Sequence, residues 1–187
     1  MQVLKRLISR GVAAHMAPIA MMGLVALAGC QSDPDEKAPQ CPVFLTRPDA
    51  SSVTRYDGRG HDLTNLVLSA TLKDTPGACK GQLGHKVITA HAHAEFLMTR
   101  GPASQSRDVA LQYNVAILKD GRLLEEKPYI QHVTFPPNVD SVQVTGDEIN
   151  FSFPTQRGLS GPSYKVYFVL ELTPEELAVN QKALINK

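Results

Sequence analysis

The chain contains no tryptophan and only 6% aromatic residues, which weakens the case for a carbohydrate-stacking platform. It also lacks a basic run, with 19 Lys and Arg scattered among 18 Asp and Glu. That excludes the electrostatic footprint of a nucleic-acid binder and a polybasic membrane patch. Three cysteines occur, none in Cys-x-x-Cys spacing, so neither thiol redox catalysis nor a cysteine zinc site is expected. No internal repeat is visible. Ser160 sits in Gly158-Leu159-Ser160-Gly161-Pro162, which is not the Gly-x-Ser-x-Gly of a nucleophile elbow and reads as a loop. Gly81-Gln82-Leu83-Gly84 lacks the following helix that a phosphate cradle needs. The apolar stretch 11–28 carries His15 and Pro18 and falls short of the roughly 20 apolar residues of a spanning helix.

What is present starts at the N-terminus. Lys5, Arg6 and Arg10 precede the apolar stretch, and no acid occurs before Asp33. A basic head, an apolar middle and small residues before a cut site form the anatomy of a secretory signal. Leu27-Ala28-Gly29-Cys30 at its end resembles the lipobox of bacterial lipoproteins. That resemblance implies cleavage before Cys30, a diacylglyceryl group on its thiol and acylation of the new N-terminus. Gln31, rather than Asp, after the cysteine resembles the pattern sorted to the outer membrane. A lipid-anchored, periplasm-facing protein of the outer membrane is therefore expected, with the inner membrane as the alternative.

Setting aside a signal over 1–29 changes the balance of the rest. Of 187 residues 158 remain, and losing three cations turns a net charge of +1 into −2. With Cys30 given to lipid, Cys41 and Cys79 are left as one possible disulfide, favoured by an oxidising compartment. Residues 30–40, through QSDPDEKAPQ, are polar and read as a flexible tether. The folded domain is expected over 41–187, beginning at Cys41-Pro42-Val43-Phe44-Leu45. Residues 49–62, with Asp57-Gly58-Arg59-Gly60, read as loop.

Period-two alternation then dominates, the mark of half-buried strands. Leu66, Leu68, Ala70 and Leu72 form one face; Ile88, Ala90, Ala92, Ala94, Phe96 and Met98 form a second; Val109, Leu111, Tyr113, Val115 and Ile117 a third. Asp120-Gly121 marks a hairpin turn, with a returning strand from Arg122 to Phe135 in which Pro128 forces an edge or bulge. Val142 and Val144, then Ile149, Phe151 and Phe153, flank a second hairpin signal at Thr145-Gly146-Asp147. Tyr164 to Leu172 completes the series. About seven strands without intervening helices predict an all-β antiparallel sandwich of Ig-like architecture. Pro128 and Pro136-Pro137 are expected to guard an edge. Thr173-Pro174-Glu175-Glu176 is a capping box, so one C-terminal helix is expected over 174–186, with Leu177, Ala178, Leu184 and Ile185 as its apolar stripe.

Cys41-Pro42, Cys79, Arg100-Gly101-Pro102 and Leu172-Thr173-Pro174-Glu175-Glu176-Leu177-Ala178 together are similar to a group of small proteobacterial lipoproteins of unknown function. The resemblance covers most of 41–180 and implies a β-sandwich without an assigned activity.

Among chemistry-bearing residues, Ala90-His91-Ala92-His93-Ala94-Glu95 stands out. On a strand, His91, His93 and Glu95 share a face, and His85 lies in the preceding loop; these are legitimate ligands for zinc or another divalent metal. The competing reading is a solvated strand face opposite the core. His61-Asp62 has no nucleophile to serve. Arg100-Gly101-Pro102 is expected to shape the strand exit, with Gly101 taking an unusual backbone angle, and Arg100 with Arg107 is a conceivable anion contact. The expectation is a non-enzymatic binding or scaffold module without a cofactor, held to the membrane through Cys30 and meeting an envelope protein partner. A metal-binding protein and an envelope enzyme with a loop-built site are the alternatives.

Overall fold

In the computed structural model, residues 41–80, 87–155 and 164–186 are described. Their chain order begins with β1 (Val43–Thr46), β2 (Ser52–Tyr56), β3 (Leu66–Asp74) and β4 (Gly77–Lys80). It continues with β5 (Val87–Ala92), β6 (Glu95–Arg100), β7 (Asp108–Lys119) and β8 (Arg122–Thr134). β9 (Ser141–Thr145), β10 (Ile149–Pro154), β11 (Tyr164–Leu170) and α1 (Pro174–Ile185) complete it. The fold is all-β and sandwich-like, with one C-terminal helix, as the alternation predicts.

Three sheets form, in the orders β1-β11-β7-β8, β10-β5-β4 and β2-β3-β6-β9. The last two share their chain segments, because β3 runs on into β4, β5 into β6, and β9 into β10. Each segment breaks once, at Thr75-Pro76, His93-Ala94 and Gly146-Asp147-Glu148. Across those breaks the His93 N–H donates to Pro76 O at 3.2 Å and the Gly146 N–H to Ala94 O at 2.8 Å. Sequence supplies the reason at one of them: Pro76 has no N–H for the ladder. The two sheets thus form one layer bent along a line of breaks, facing the β1-β11-β7-β8 layer.

This geometry revises several expectations. Among the described residues eleven strands replace about seven, since β1, β2 and β4 are short and the 88–98 run is two strands, not one. Residues 49–62, expected as loop, contain β2 and the end of one 3-10 turn (Pro48–Ala50), and stop at Asp62, the cap of a second (Leu63–Asn65). Thr145-Gly146-Asp147 is no hairpin: β9 pairs with β6 and β10 with β5, so the chain continues past the turn instead of reversing. The pairing is not wholly antiparallel either, because β1 runs parallel to β11. The Asp120-Gly121 turn is present, with both residues at positive φ, 50° and 79°.

Alternation does locate the core. Ile88, Ala90, Ala92, Ala94, Phe96 and Met98 are all buried, together with Leu111, Tyr113, Val115, Val166 and Phe168 of the facing layer. Small and large residues interlock across the gap. Gly77, Ala92 and Ile149 form one cross-sheet row, and Cys79, Ala90 and Phe151 the next. The Phe44 ring from β1 fills the hollow over the small members: a Cβ added to Gly77 would lie 2.6 Å from it. Phe44 also meets Phe151 at 5.8 Å between centroids. Beside this hollow, Cys41 and Cys79 form the expected disulfide, Cα–Cα 5.7 Å, tying the start of β1 to β4 across the two layers.

Helix α1 opens with the predicted capping box, Thr173 accepting from the Glu176 N–H and Glu176 from the Thr173 N–H. Its docking differs from the expected apolar stripe, for Leu184 and Ile185 are exposed at 43% and 84%. Polar groups hold it instead. Asn180 donates to the backbone carbonyls of Asp49 (3.0 Å) and Ser52 (2.7 Å), and Arg55 pairs with Glu176 at 3.2 Å. The helix therefore covers the free edge of β2.

Candidate functional site

The residues singled out from sequence scatter over the domain. His93 and Glu95 straddle the break between β5 and β6, with Nε2 and Oε1 3.7 Å apart. His91 sits in β5 between Ala78 and Asn150 of the neighbouring strands, neither a metal ligand. Among the described residues no three His, Cys, Asp or Glu side chains gather to hold a metal ion. His85 and Ser160 lie outside the described residues, as does Cys30.

The other candidates are engaged locally. Asp62 caps a 3-10 turn, accepting from the Thr64 and Asn65 N–H groups. The Thr64 hydroxyl on its carboxylate, then those backbone N–H groups, hold Asp62 below the usual carboxylate range. His61 meets the ring of Tyr56 edge-on at 4.9 Å. Arg100 donates from Nη2 to Asp140 at 2.8 Å, which gives one end of its guanidinium a carboxylate partner, while its buried Nε has no partner among the described residues. Gly101 does not take a positive φ; it is required by close approach, since a Cβ there would overlap the Leu66 carbonyl.

Two surfaces carry chemistry that the sequence did not single out. The first is a cleft of about 300 Å³ between the layers, where β8 and β10 end their sheets. Val115, Ile117, Ile149 and Phe151 form its apolar floor, and Glu125, Lys127 and Tyr129 its wall. Glu125 and Lys127 pair at 2.6 Å, and that hydrogen bond raises the Lys127 ammonium above its ordinary value. Tyr113 stacks on Tyr129 at 5.5 Å; burial, then Tyr129 and Asp147, push its phenol up to about 12. The charges at this mouth satisfy each other.

The second is the outward face of β2-β3-β6-β9. Register places Thr54, Ser69, Thr99 and Ser141 in one row across all four strands. Ser52, Thr71, Leu97 and Gln143 form the next row. Adjacent strands lie about 4.8 Å apart, so the hydroxyls are near neighbours, and Thr99 and Ser141 bond at 3.1 Å. No member of either row is charged. The opposite layer differs, for Lys165, Glu126 and His132 are all exposed on its strands. A hydroxyl both donates and accepts, so these rows suit a polar, uncharged contact. The alternation hints at outward Ser and Thr within each strand, but their alignment into rows depends on register, which a single sequence does not display.

The chain matches no protein family, no curated protein and no solved structure.

Proposed function

We propose that this chain is a lipid-anchored envelope protein whose sandwich acts as a non-enzymatic binding or scaffold module. Cys30 carries the lipid, residues 31–40 form the tether, and the domain faces the periplasm from the outer membrane. More than one acyl chain is needed for stable anchoring, at about 0.8 kcal/mol per buried CH₂. The observation that carries the binding reading is the uncharged double row on β2-β3-β6-β9, Thr54-Ser69-Thr99-Ser141 and Ser52-Thr71-Leu97-Gln143. The disulfide at Cys41 supports the tethered arrangement, because it fastens the domain at the point where the tether enters. Contacts through such a face are insensitive to salt, as no ion pair is screened.

Two measurements test the reading. Mass spectrometry of membrane-extracted protein should find acyl chains on Cys30, in fractions that follow outer-membrane markers; an intact Met1 or a bare Cys30 would overturn the anchor. Ser69→Lys and Thr71→Lys, exchanged together, should abolish crosslinks between the anchored protein and its envelope partner. Unchanged crosslinks with both lysines in place would overturn the face.

A further inference from the structure

A sheet edge exposes unpaired N–H and C=O groups and needs a guard against pairing with other chains. Among the described residues the three sheets end in β1, β8, β10, β4, β2 and β9. β2 is covered by α1, with Asn180 on the Ser52 carbonyl. β1 and β4 are four residues each and linked at Cys41–Cys79. β8 carries a bulge near Leu124, Pro128, and the Glu125–Lys127 pair on its inner face. β10 ends in Pro154 and follows Glu148. β9 differs within the strand itself: Ser141-Val142-Gln143-Val144-Thr145 is uncharged, free of proline and regular in its register with β6, and the acid that precedes it, Asp140, is held by Arg100.

The sequence of β9 is also close to a palindrome. We propose that two copies of this chain pair antiparallel through their β9 edges, on a two-fold axis at Gln143. Gln143 then meets Gln143 of the second copy, Val142 meets Val144, and Ser141 meets Thr145. Every cross-strand pair is of matching chemistry, amide with amide, valine with valine and hydroxyl with hydroxyl, and no like charges oppose. Asp140 falls opposite Gly146 of the second copy and is already paired with Arg100. Such an interface is isologous and closes as a dimer. It joins the two four-stranded sheets into one and continues the Ser52-Thr71-Leu97-Gln143 row into the same row of the second copy, while the Thr54-Ser69-Thr99-Ser141 row runs on to Thr145 and then Glu95 of that copy. The pairing stands apart from the reading of the face as a partner surface, and failure of either leaves the other intact.

The test uses the full chain in membranes. Oxidation of Gln143→Cys should give covalent homodimers, because the two thiols face each other at the axis, whereas Thr54→Cys on the far strand should not. Gln143→Lys and Gln143→Glu should each weaken dimer formation about fivefold, and an equal mixture of the two should restore it. Crosslinks from Gln143→Cys to a different protein only, yields no higher than Thr54→Cys, or charge variants that dimerise like the parent would each overturn the proposal.

Discussion

Removing the Cys41–Cys79 bridge by Cys41→Ala together with Cys79→Ala should cost the domain about 4 kcal/mol. The bridge closes a loop with a sequence separation of 38. In the chain-entropy treatment a loop of that length removes about 13 cal/mol/K from the unfolded ensemble, or about 4 kcal/mol at 25 °C. The native state should also change locally. β1 has only four residues, pairs with β11 alone, and is held at its other side by the Phe44 ring over Gly77. Without the bridge, amides of Val43–Thr46 should exchange faster than those of β7, which is paired on both sides. Urea unfolding at neutral pH followed by circular dichroism measures the global term, and hydrogen exchange the local one. A loss below about 1 kcal/mol with unchanged exchange in β1 would refute the reasoning, for it would mean that the bridge constrains neither state.

Three further outcomes follow from the packing. Asn180→Ala removes two donors to backbone carbonyls and should lower stability by about 1–3 kcal/mol, read as a shift in the urea midpoint. Gly77→Ala forces a methyl into the Phe44 ring and should cost about 1–3 kcal/mol; Phe44→Leu in the same chain should recover part of that loss, which a double-mutant cycle measures. Tyr113 has a folded pKa raised from 10.0 to about 12, so its contribution is intact below pH 10 and is lost as pH climbs toward 12. Tyr113→Phe should therefore flatten the stability profile between those values relative to the parent chain.

Much of the fold was legible because alternation reports burial directly. The 88–98 face, the 109–117 face and 149–153 are core because every second residue is apolar, and no partner need be known to see it. The capping box of α1 is equally local. What sequence withheld depends on pairing. β2 is half covered by a helix more than a hundred residues away in sequence, so Ser52–Tyr56 shows only one buried residue, Val53, and reads as loop. Gly146 reads as a hairpin turn because local residues do not reveal that its N–H continues toward Ala94. Gly101 is demanded by the carbonyl of Leu66, a residue 35 positions earlier in the numbering. The hydroxyl rows are the clearest case. Each of Thr54, Ser69, Thr99 and Ser141 is an ordinary outward strand residue, and only the register of three strand pairs makes them a row. His91 and His93 were conspicuous by spacing, yet the break after Ala92 interrupts the strand on which their common face was expected.

The most direct measurement is site-specific photo-crosslinking of the full-length, anchored chain in intact envelopes. The photoreactive residue would be placed in turn at Ser69 and Thr71 on the uncharged face, and at Tyr167 and Glu126 on the opposite layer. Capture from Ser69 and Thr71, persisting at high salt and weak from Tyr167 and Glu126, is the result expected of a module that binds through β2-β3-β6-β9. Capture from Tyr167 and Glu126 with none from Ser69 or Thr71 would contradict it.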